Sequence, residues 1–474
     1  MSSERGPVRR TPPQLWSDRI RSVLTGAPDA PMVLLGNFEV ENQWAEDEPG
    51  LPRVAASATR EMANRMDEFC LLLAGPQDHV VLKSAPDPDH LAHLEALGLE
   101  LPRILTPAAQ DPQLTVTEDV LADPALCKEL GALTGHPALW PHGVSVREEK
   151  LAELAGLRLA LPSAHICKAV NGKTYSREVA TALGLRQPHG WVCRTVGDLA
   201  HAVEEAGALL DGGGRAVAKD SYGVSGKGLL VVSERASLER IARKIARRAE
   251  RTGDDGLSMV VETWVAKQTD LNYQFTVGRD GSFTFDFVRE AVTESGVHKG
   301  HRIPARLDGA QHAELEAAAR LIGERLYVDG YFGPVGVDAM VDPEGGLYPL
   351  VEINARNNMS TYQERVRDRC IPEGKVAFAT QYPVTLRGPL PFARLSDLLE
   401  GLLLSPGAPE GLLVNNYATV NAAAHRLRPD EGRHTFDGRL YGIAVAGSDD
   451  RLAALDQQIA ARLAAFTEEN RHGR

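Results

Sequence analysis

The sequence predicts an α/β domain followed by a larger α+β domain and a small C-terminal α+β segment. Three observations lead to this fold class. Strand and helix patterns alternate up to about residue 150, which is typical of a parallel sheet covered by helices. A glycine-rich turn between two short strands, and later a hairpin of two longer strands, indicate antiparallel sheets within 151–385. Within 386–474 the chain ends in a strand pattern, "LYGIAVAG", and a helix pattern, "RLAALDQQIAARLAAF".

The composition excludes several classes of protein. Hydrophobic residues make up 43% and charged residues 24% of the chain, as in ordinary globular proteins. A formal net charge of −12 argues against nucleic acid or an anionic membrane as the main partner. No apolar run has transmembrane length, and no apolar core follows the start "MSSERGPVRRTPPQ". The five cysteines are scattered without a C-x-x-C pair. We therefore expect a soluble cytoplasmic protein with reduced thiols.

The first predicted strand of the α/β region is "PMVLLGN" (31–37), which ends at a glycine. Ligands of open parallel sheets bind beyond the carboxyl ends of the strands. Gly36, Asn37 and Glu39 are therefore candidates for substrate contacts. The alternative interpretation is a turn followed by surface carboxylates, which is the more common use of such residues.

A glycine-rich turn follows the short strand "RAVAK", which ends in Lys219. The stretch "SYGVSGKG" then leads directly into the next strand, "LLVV". Glycine lets bare backbone N–H groups approach an anion closely, so this turn is a candidate phosphate site. It is not a Walker A loop, since no G-x-x-x-x-G-K-[ST] opens a helix, and it is not a G-x-G-x-x-G dinucleotide fingerprint.

The hairpin at 335–354 carries three oxygen ligands near one level of its two strands. Asp338 lies in "GVDAMV", while Glu352 and Asn354 lie two apart in "LVEIN", so the latter two share a sheet face. With the turn at "PEGG", Asp338 falls near the height of Glu352. Hard oxygen ligands of this kind suit Mg²⁺. The alternative is a polar cluster at a sheet edge, which the apolar neighbours on both strands disfavour.

The order of motifs along the chain resembles the ATP-grasp superfamily over about residues 163–375. That order is Lys173 before a helix, Lys219 before the glycine turn, the strand exit "VVETWVAKQTD" (260–270), and Asp338 followed by Glu352-x-Asn354. In this family ATP is clasped between two α+β subdomains. The resemblance implies an ATP-grasp domain over 151–385, with a lid subdomain at about 190–265, and a separate N-terminal domain over 1–150.

The resemblance also implies roles for individual residues. It implies that Lys173 and Lys219 bind phosphates, that the glycine hairpin with Ser225 and Gly226 closes over them, and that Asp338, Glu352 and Asn354 carry two Mg²⁺ ions, for which Mn²⁺ can substitute. The remaining candidates for ATP contacts are the adenine hinge Glu262, Thr263 and Val265, and Asp270 for the ribose hydroxyls.

Two further places carry candidate catalytic residues. Arg356 in "EINARNN" matches the arginine of the E-x-N-x-R version found in biotin carboxylase and carbamoyl-phosphate synthetase, where it would stabilise a phosphorylated intermediate. A structural arginine that pairs with a carboxylate is the alternative. Gly336 stands where D-alanine–D-alanine ligase has an arginine, which favours Arg356 for this role.

The segment 288–306 occupies the place of the family's substrate loop. It contains His298, Lys299, His301 and Arg302, of which Lys299 and Arg302 are the catalytic candidates. We expect a mobile basic loop that binds the γ-phosphate or a substrate carboxylate. A plain solvated loop is the alternative, and no second histidine pair or cysteine supports a zinc site.

The N-terminal domain, with "GNFEVENQW", resembles the Rossmann-like pre-ATP-grasp domain of natural-product peptide ligases of the pheganomycin peptide ligase type. This implies an ATP-dependent carboxylate–amine ligase that joins amino acids or peptides through an acylphosphate and releases ADP and phosphate. The alternatives are a primary-metabolism amide or thioester ligase, an ATP-grasp kinase that phosphorylates a hydroxyl, and a regulator that binds ATP without turnover. The expected partners are small-molecule or peptide carboxylates and amines, and a homodimer stays open.

Overall fold

The computed structural model describes residues 15–51, 57–223, 228–294, 297–428, 430 and 434–472. These residues form three sheets: a five-stranded parallel sheet, a four-stranded antiparallel sheet and an eight-stranded antiparallel sheet. No helix in the described ranges is long and apolar enough to cross a membrane.

The first sheet is parallel throughout, with the strand order β3-β2-β1-β4-β5. Its elements are α1 (Trp16–Thr25), β1 (Met32–Leu35), α2 (Val40–Trp44), α3 (Ser57–Asn64), β2 (His79–Val81), α4 (Pro88–Ala96), β3 (Arg103–Leu105), α5 (Val116–Leu121), α6 (Pro124–Gly131), β4 (Ala138–Pro141), α7 (Val146–Ala155) and β5 (Arg158–Leu159). The apolar run of β1 is fully buried because helices or loops cover both faces of the sheet. The boundary expected at residue 150 falls inside α7, and the sheet itself ends with β5.

Strand β1 has β2 on one side and β4 on the other. The chain first adds strands on one side of β1 and then on the other, so the strand order reverses at β1. A crevice for a ligand forms at such a reversal, beyond the carboxyl end of the strand. Gly36 ends β1 at this point. A Cβ atom on Gly36 would lie 2.5 Å from the Asp67 Cα, so only glycine lets the 3-10 helix Met66–Leu72 pack this closely on β1.

Two helices lead into the second sheet, whose strand order is β6-β9-β7-β8. The elements are α8 (Ala164–Val170), α9 (Lys173–Ala182), β6 (Gly190–Thr195), α10 (Val196–Asp211), β7 (Ala216–Asp220), β8 (Leu229–Val232), α11 (Arg235–Thr252) and β9 (Gly256–Thr263). Helices α10 and α11 pack together over this sheet around a core of their own that includes Leu199, Ile245 and Met259. The strands and helices of this unit run from Gly190 to Thr263, and its role as a lid stays a prediction.

The third sheet has the order β14-β13-β10-β11-β12-β15-β17-β16. Its elements are β10 (Thr269–Val277), β11 (Phe283–Glu294), β12 (Val297–Ile303), α12 (Gly309–Val328), β13 (Gly333–Val341), β14 (Leu347–Asn354), α13 (Glu364–Cys370), β15 (Val376–Leu386), α14 (Phe392–Leu398), β16 (Gly411–Asn416), β17 (Phe436–Ala446) and α15 (Asp449–His472). The C-terminal segment thus adds β16 and β17 to this sheet, and a second apolar cluster lies beneath α14 and α15.

One hydrophobic cluster joins the first and third sheets. It runs from Met32 in β1 through Tyr273 in β10 to Val445 in β17, all of them buried. The first sheet and the large sheet therefore share one hydrophobic core, while the small sheet has a hydrophobic core of its own.

Candidate active site

A narrow cleft lies between the small sheet and the large one. The residues that line it come from α9, the segment after it, β7, β9 and β14: Lys173, Arg177, Gln187, Pro188, Lys219, Val260, Glu262, Leu350 and Val351. The cleft therefore combines cationic side chains with short apolar surfaces, which is a combination suited to a nucleotide.

The hairpin of β13 and β14 borders this cleft, and its register sets two carboxylates side by side. Asp338 lies directly opposite Glu352, and Gly336 lies opposite Asn354. This is the relative height that the turn position predicts. The three side chains share a face of the sheet because cross-strand partners, and residues two apart, project to the same side.

Asp338 is held by amide donors. The Asn272 Nδ2 group donates to its Oδ1 atom at 2.8 Å, and the Asn354 Nδ2 group donates to its Oδ2 atom at 3.2 Å. Burial, and then the facing Glu352 carboxylate, raise the pKa of Asp338 to about 6. Two facing carboxylates favour a cation beside them, and Lys173 already neutralises Glu352 in part.

The donor set fits Mg²⁺. Within the described ranges no group of three or more His, Cys, Asp or Glu side chains could hold a metal ion. An ion held by Asp338 and Glu352 would therefore complete its coordination with water and phosphate oxygens, which is the usual mode for Mg²⁺. Asn354 is a less direct ligand here, because its Oδ1 atom accepts a hydrogen bond from the Arg356 Nη2 group at 2.9 Å.

Lys173 begins α9 and connects the hairpin of β13 and β14, called the metal hairpin below because it carries the predicted metal ligands, to the glycine turn. Its Nζ group donates to Glu352 Oε1 at 2.8 Å and to the Gly223 carbonyl at 2.9 Å. Ser225 and Gly226, the residues predicted to close over the phosphates, lie outside the described residues. Lys173 thus contacts both the β13–β14 hairpin and Gly223, at the start of the glycine turn.

Lys219 lines the same cleft from β7. Its Nζ group forms an ion pair with Glu262, which also accepts from the Arg177 Nη1 group at 3.2 Å. Arg177 lies one helical turn after Lys173, so both project from the same face of α9. Glu262 therefore neutralises two cations that line the cleft, and phosphate binding at Lys219 would have to compete with it.

The predicted adenine hinge begins in the last two residues of β9, Glu262 and Thr263, and continues beyond the strand. The Thr263 N–H group donates to the His189 carbonyl, and the Trp264 N–H group donates to the Arg215 carbonyl, both at 2.8 Å. These N–H groups are already engaged. Contacts with a base through Thr263 would therefore fall to its carbonyl, and Val265 comes next in the chain. Asp270 is the second residue of β10 and accepts a hydrogen bond from the Lys267 Nζ group at 2.5 Å.

The prediction that segment 288–306 forms a mobile loop is wrong. This segment forms the antiparallel strands β11 and β12, and β12 also pairs with β15. A Cβ atom on Gly300 would lie 1.8 Å from the Ala379 carbonyl oxygen, so glycine at this position allows β12 and β15 to pack closely. Of the two candidates here, Lys299 has its side chain outside the described residues.

Arg302 does not reach the metal hairpin. It pairs with Glu290, which pairs with Leu271, which pairs with Ala339, so it lies on the sheet face opposite to Asp338. Its Nη2 group forms an ion pair with Asp449 at 2.5 Å, at the start of α15. The catalytic role expected for Arg302 does not fit this position, because alternate residues of a strand project to opposite faces.

Arg356 follows Asn354 and leads away from the metal hairpin towards the first sheet. Besides Asn354, it donates to the Asn357 carbonyl at 3.0 Å and forms an ion pair with Glu41 in α2. Arg356 therefore pairs with a carboxylate, as the alternative interpretation of this residue expected. Arg356 nevertheless stays in direct contact with a predicted metal ligand.

The sequence interpretation missed an amide network beside the metal pair. Gln274 donates through its Nε2 group to Asn272 Oδ1 at 2.7 Å and to Asn358 Oδ1 at 3.0 Å. A Cβ atom on Gly336 would lie 1.9 Å from the Asn358 Nδ2 atom, so the glycine makes room for these amides and an arginine would not fit. The alternation of Asn272 and Gln274 in "LNYQFTV" was a signal that could have identified them.

Asn37 is used by the fold. It is fully buried, and its Nδ2 group donates to the Gly143 carbonyl at 2.8 Å, which ties the end of β1 to the segment after β4. Glu39 accepts a hydrogen bond from Asn42. Another acidic residue of this region, Glu41, is the one that contacts Arg356.

Comparisons with known proteins agree with this architecture. Residues 66–157 match the family model of the Pre ATP-grasp domain. The chain is 24% identical over 327 residues to the [Butirosin acyl-carrier protein]--L-glutamate ligase of Niallia circulans, which covers 68% of this chain and 71% of that protein.

Two solved structures show the same fold over nearly the whole chain. An N5-carboxyaminoimidazole ribonucleotide synthetase in complex with ADP superposes with a TM-score of 0.53 at 13% identity, covering 93% of this chain and 98% of that one. The biotin carboxylase of Campylobacter jejuni superposes with a TM-score of 0.51 at 13% identity, covering 92% and 91%. The family model and the fold together confirm the predicted architecture, in which a pre-ATP-grasp domain is joined to an ATP-grasp fold.

Proposed function

We propose that this protein is an ATP-dependent carboxylate–amine ligase that forms an amide or peptide bond and releases ADP and phosphate. The observation that carries the proposal is the juxtaposition of Asp338 and Glu352, directly opposite in register, with Lys173 at 2.8 Å from Glu352. Lys219 lines the same cleft. Such a set gathers positive charge and metal ligands where the terminal phosphates of ATP would lie.

The reaction proposed has two steps. A carboxylate oxygen of the acid attacks the γ-phosphorus, the bond from that phosphorus to the β,γ-bridging oxygen breaks, and ADP leaves. The amine nitrogen then attacks the acyl carbon, phosphate leaves with its bonding electrons, and the nitrogen loses a proton. Bound Mg²⁺ would supply charge neutralisation for the transferring phosphoryl group.

The residues of the chain have distinct tasks in this proposal. Lys173 and Lys219 bind phosphate oxygens, and Arg356, anchored on Asn354, faces the acid. Asp338 and Glu352 hold the metal. The glycine turn between β7 and β8 excludes water from the acylphosphate, which would otherwise hydrolyse.

An amino-acid or peptide substrate from natural-product biosynthesis is the finer part of the proposal. It is supported by the relative from Niallia circulans, whose name states the ligation of L-glutamate to an acyl-carrier protein. The match of residues 66–157 to the Pre ATP-grasp family model also supports it, because the sequence resembles natural-product peptide ligases in this domain.

The test is a screen for ATP consumption against L-amino acids and dipeptides, with hydroxylamine as the nucleophile. We expect ADP, phosphate and an acyl hydroxamate in equal amounts, because an acylphosphate reacts with any small nucleophile. A kinase would yield a stable phosphate ester and no hydroxamate. AMP and pyrophosphate as products would contradict the mechanism even if an amide formed.

A further inference from the structure

Glu41 in α2 and Arg356, which follows the metal hairpin, form an ion pair. Each of the two side chains has a buried atom that makes no hydrogen bond among the described residues. Glu41 is 7% exposed. Its Oε2 atom makes no hydrogen bond among the described residues, and neither does the Arg356 Nε atom. A buried carboxylate oxygen and a buried guanidinium N–H without hydrogen bonds are costly unless water or a ligand supplies the missing partners.

The surroundings of the pair show the same deficit. In the segment that follows Arg356, Asn357 Oδ1, Ser360 Oγ and Gln363 Oε1 are buried, and none has a hydrogen-bond partner in the part of the chain that the structure describes. Asn357, Ser360 and Gln363 are each at most 3% exposed. Among the unpaired buried atoms of this segment, these three are oxygen atoms, and Asn358 Nδ2 is an amide donor.

The position of Glu41 points to a substrate and not merely to a structural contact. It lies in α2, the first helix after β1, and the strand order of the first sheet reverses at β1, which is where ligands of open parallel sheets commonly bind. On its other side, Arg356 holds the metal-hairpin residue Asn354. Glu41 thus lies in the helix that follows β1 and is connected through Arg356 to Asn354 of the β13–β14 hairpin.

We propose that Glu41 binds the α-ammonium group of an amino acid whose carboxylate faces Arg356 and is activated at the metal hairpin. An ammonium group offers three N–H donors, which the unpaired Glu41 oxygen and neighbouring acceptors can accept. The carboxylate of the same molecule matches the unpaired Arg356 N–H. This inference rests on the proposed ligase function and deepens it, since it assigns a free α-amino group to the acid substrate.

The test compares pairs of acids that differ only in the α-amino group: L-alanine with propionate, L-glutamate with glutarate, and L-phenylalanine with 3-phenylpropionate. Hydroxylamine is the nucleophile, so that the acid is the only substrate varied. We expect the wild-type protein to use at least one amino acid far better than its des-amino partner. Glu41→Gln should raise the KM for that amino acid by about 30-fold, because a charge-assisted contact is lost.

The KM for the des-amino acid should rise far less than the KM for the amino acid in Glu41→Gln, since the des-amino acid makes no contact with residue 41 and is affected only through the lost pairing of Arg356 with Glu41. A purely structural role would instead impair both acids together and lower the melting temperature. Glu46→Gln is the matched control, because Glu46 follows α2 and its ion pair with Arg147 is solvent-exposed. Glu41→Asp, which keeps the charge, should recover part of the affinity for the amino acid and serves if Glu41→Gln does not fold.

The outcomes separate the two proposals. ADP formation by the wild-type protein with equal use of both members of every pair would overturn the role of Glu41, and so would unchanged discrimination in Glu41→Gln. Absence of ADP with every acid would overturn the ligase function itself.

Discussion

At the scale of single residues, the facing carboxylates Asp338 and Glu352 carry the proposed chemistry. The sequence located both because the hairpin turn and the period-2 alternation of strands determine which residues face each other. Glu41 could not be located in this way. Its contact with Arg356 joins residues more than 300 positions apart, and no local pattern encodes a contact made between two domains.

Replacing Glu352 with glutamine tests the metal pair. We expect kcat to fall by about 10³-fold or more, because one carboxylate ligand and the partner of Lys173 are both lost. The melting temperature should change little, since the glutamine keeps the shape of the side chain. Coupled ADP assays at several Mg²⁺ concentrations measure the effect. Glu344→Gln, at the exposed turn of the same hairpin, is the control. Wild-type turnover and Mg²⁺ dependence in Glu352→Gln would remove this hairpin from the active site.

At the scale of elements, a hairpin marked by a local sequence signal was predictable, and a hairpin that depends on non-local packing was not. The hairpin of β13 and β14 was predictable because the turn "PEGG" sits between two apolar strands. The hairpin of β11 and β12 was not, because glycine, histidine and lysine are typical of loops. Its strand structure depends on β15, more than seventy residues further along the chain. The same holds at β1, where Gly36 is needed because a distant 3-10 helix packs against it.

That 3-10 helix provides a test of stability against pH. Asp67 is buried there, its Oδ2 atom accepts from the Lys83 N–H group at 2.6 Å, and burial is the main cause that raises its pKa to about 6. Between about pH 4 and pH 6 the folded protein therefore binds more protons at Asp67 than the unfolded chain does, so this residue makes stability fall as pH rises.

Asp67→Asn keeps an oxygen acceptor for Lys83 and removes the buried charge. On going from pH 4 to pH 7, we expect the wild-type protein to lose about 2 to 3 kcal/mol of unfolding free energy relative to Asp67→Asn. Urea unfolding at a series of pH values measures this. The exposed Asp29→Asn is the control and should follow the wild-type profile. Parallel profiles for Asp67→Asn and the wild type would show that Asp67 titrates normally.

At the scale of the whole molecule, the division of hydrophobic cores indicates which parts can move. The first sheet and the large sheet share one core, so they form a single body. The small sheet has its own core, and polar contacts connect it to the rest of the described chain. These include Leu51 N–H to Asp220 at 2.6 Å, Ser258 N–H to the Pro49 carbonyl at 2.9 Å, and Lys173 N–H to the Ser221 carbonyl at 3.0 Å. A separately cored unit with polar attachments is suited to hinge motion over a bound nucleotide.

Hydrogen exchange should reveal that motion. With Mg²⁺ and a non-hydrolysable ATP analogue, we expect slower amide exchange in β7, β9 and the start of α9, because these elements line the cleft and would close on the phosphates. Exchange in β16, β17 and α15 should not change, since they lie on the far side of the shared core. The analogue without Mg²⁺ is the control and should protect the lid less, because Asp338 and Glu352 would then repel the phosphates. Protection confined to the first sheet would mean that the nucleotide binds at the crevice beyond β1, and the cleft between the sheets would lose its assignment.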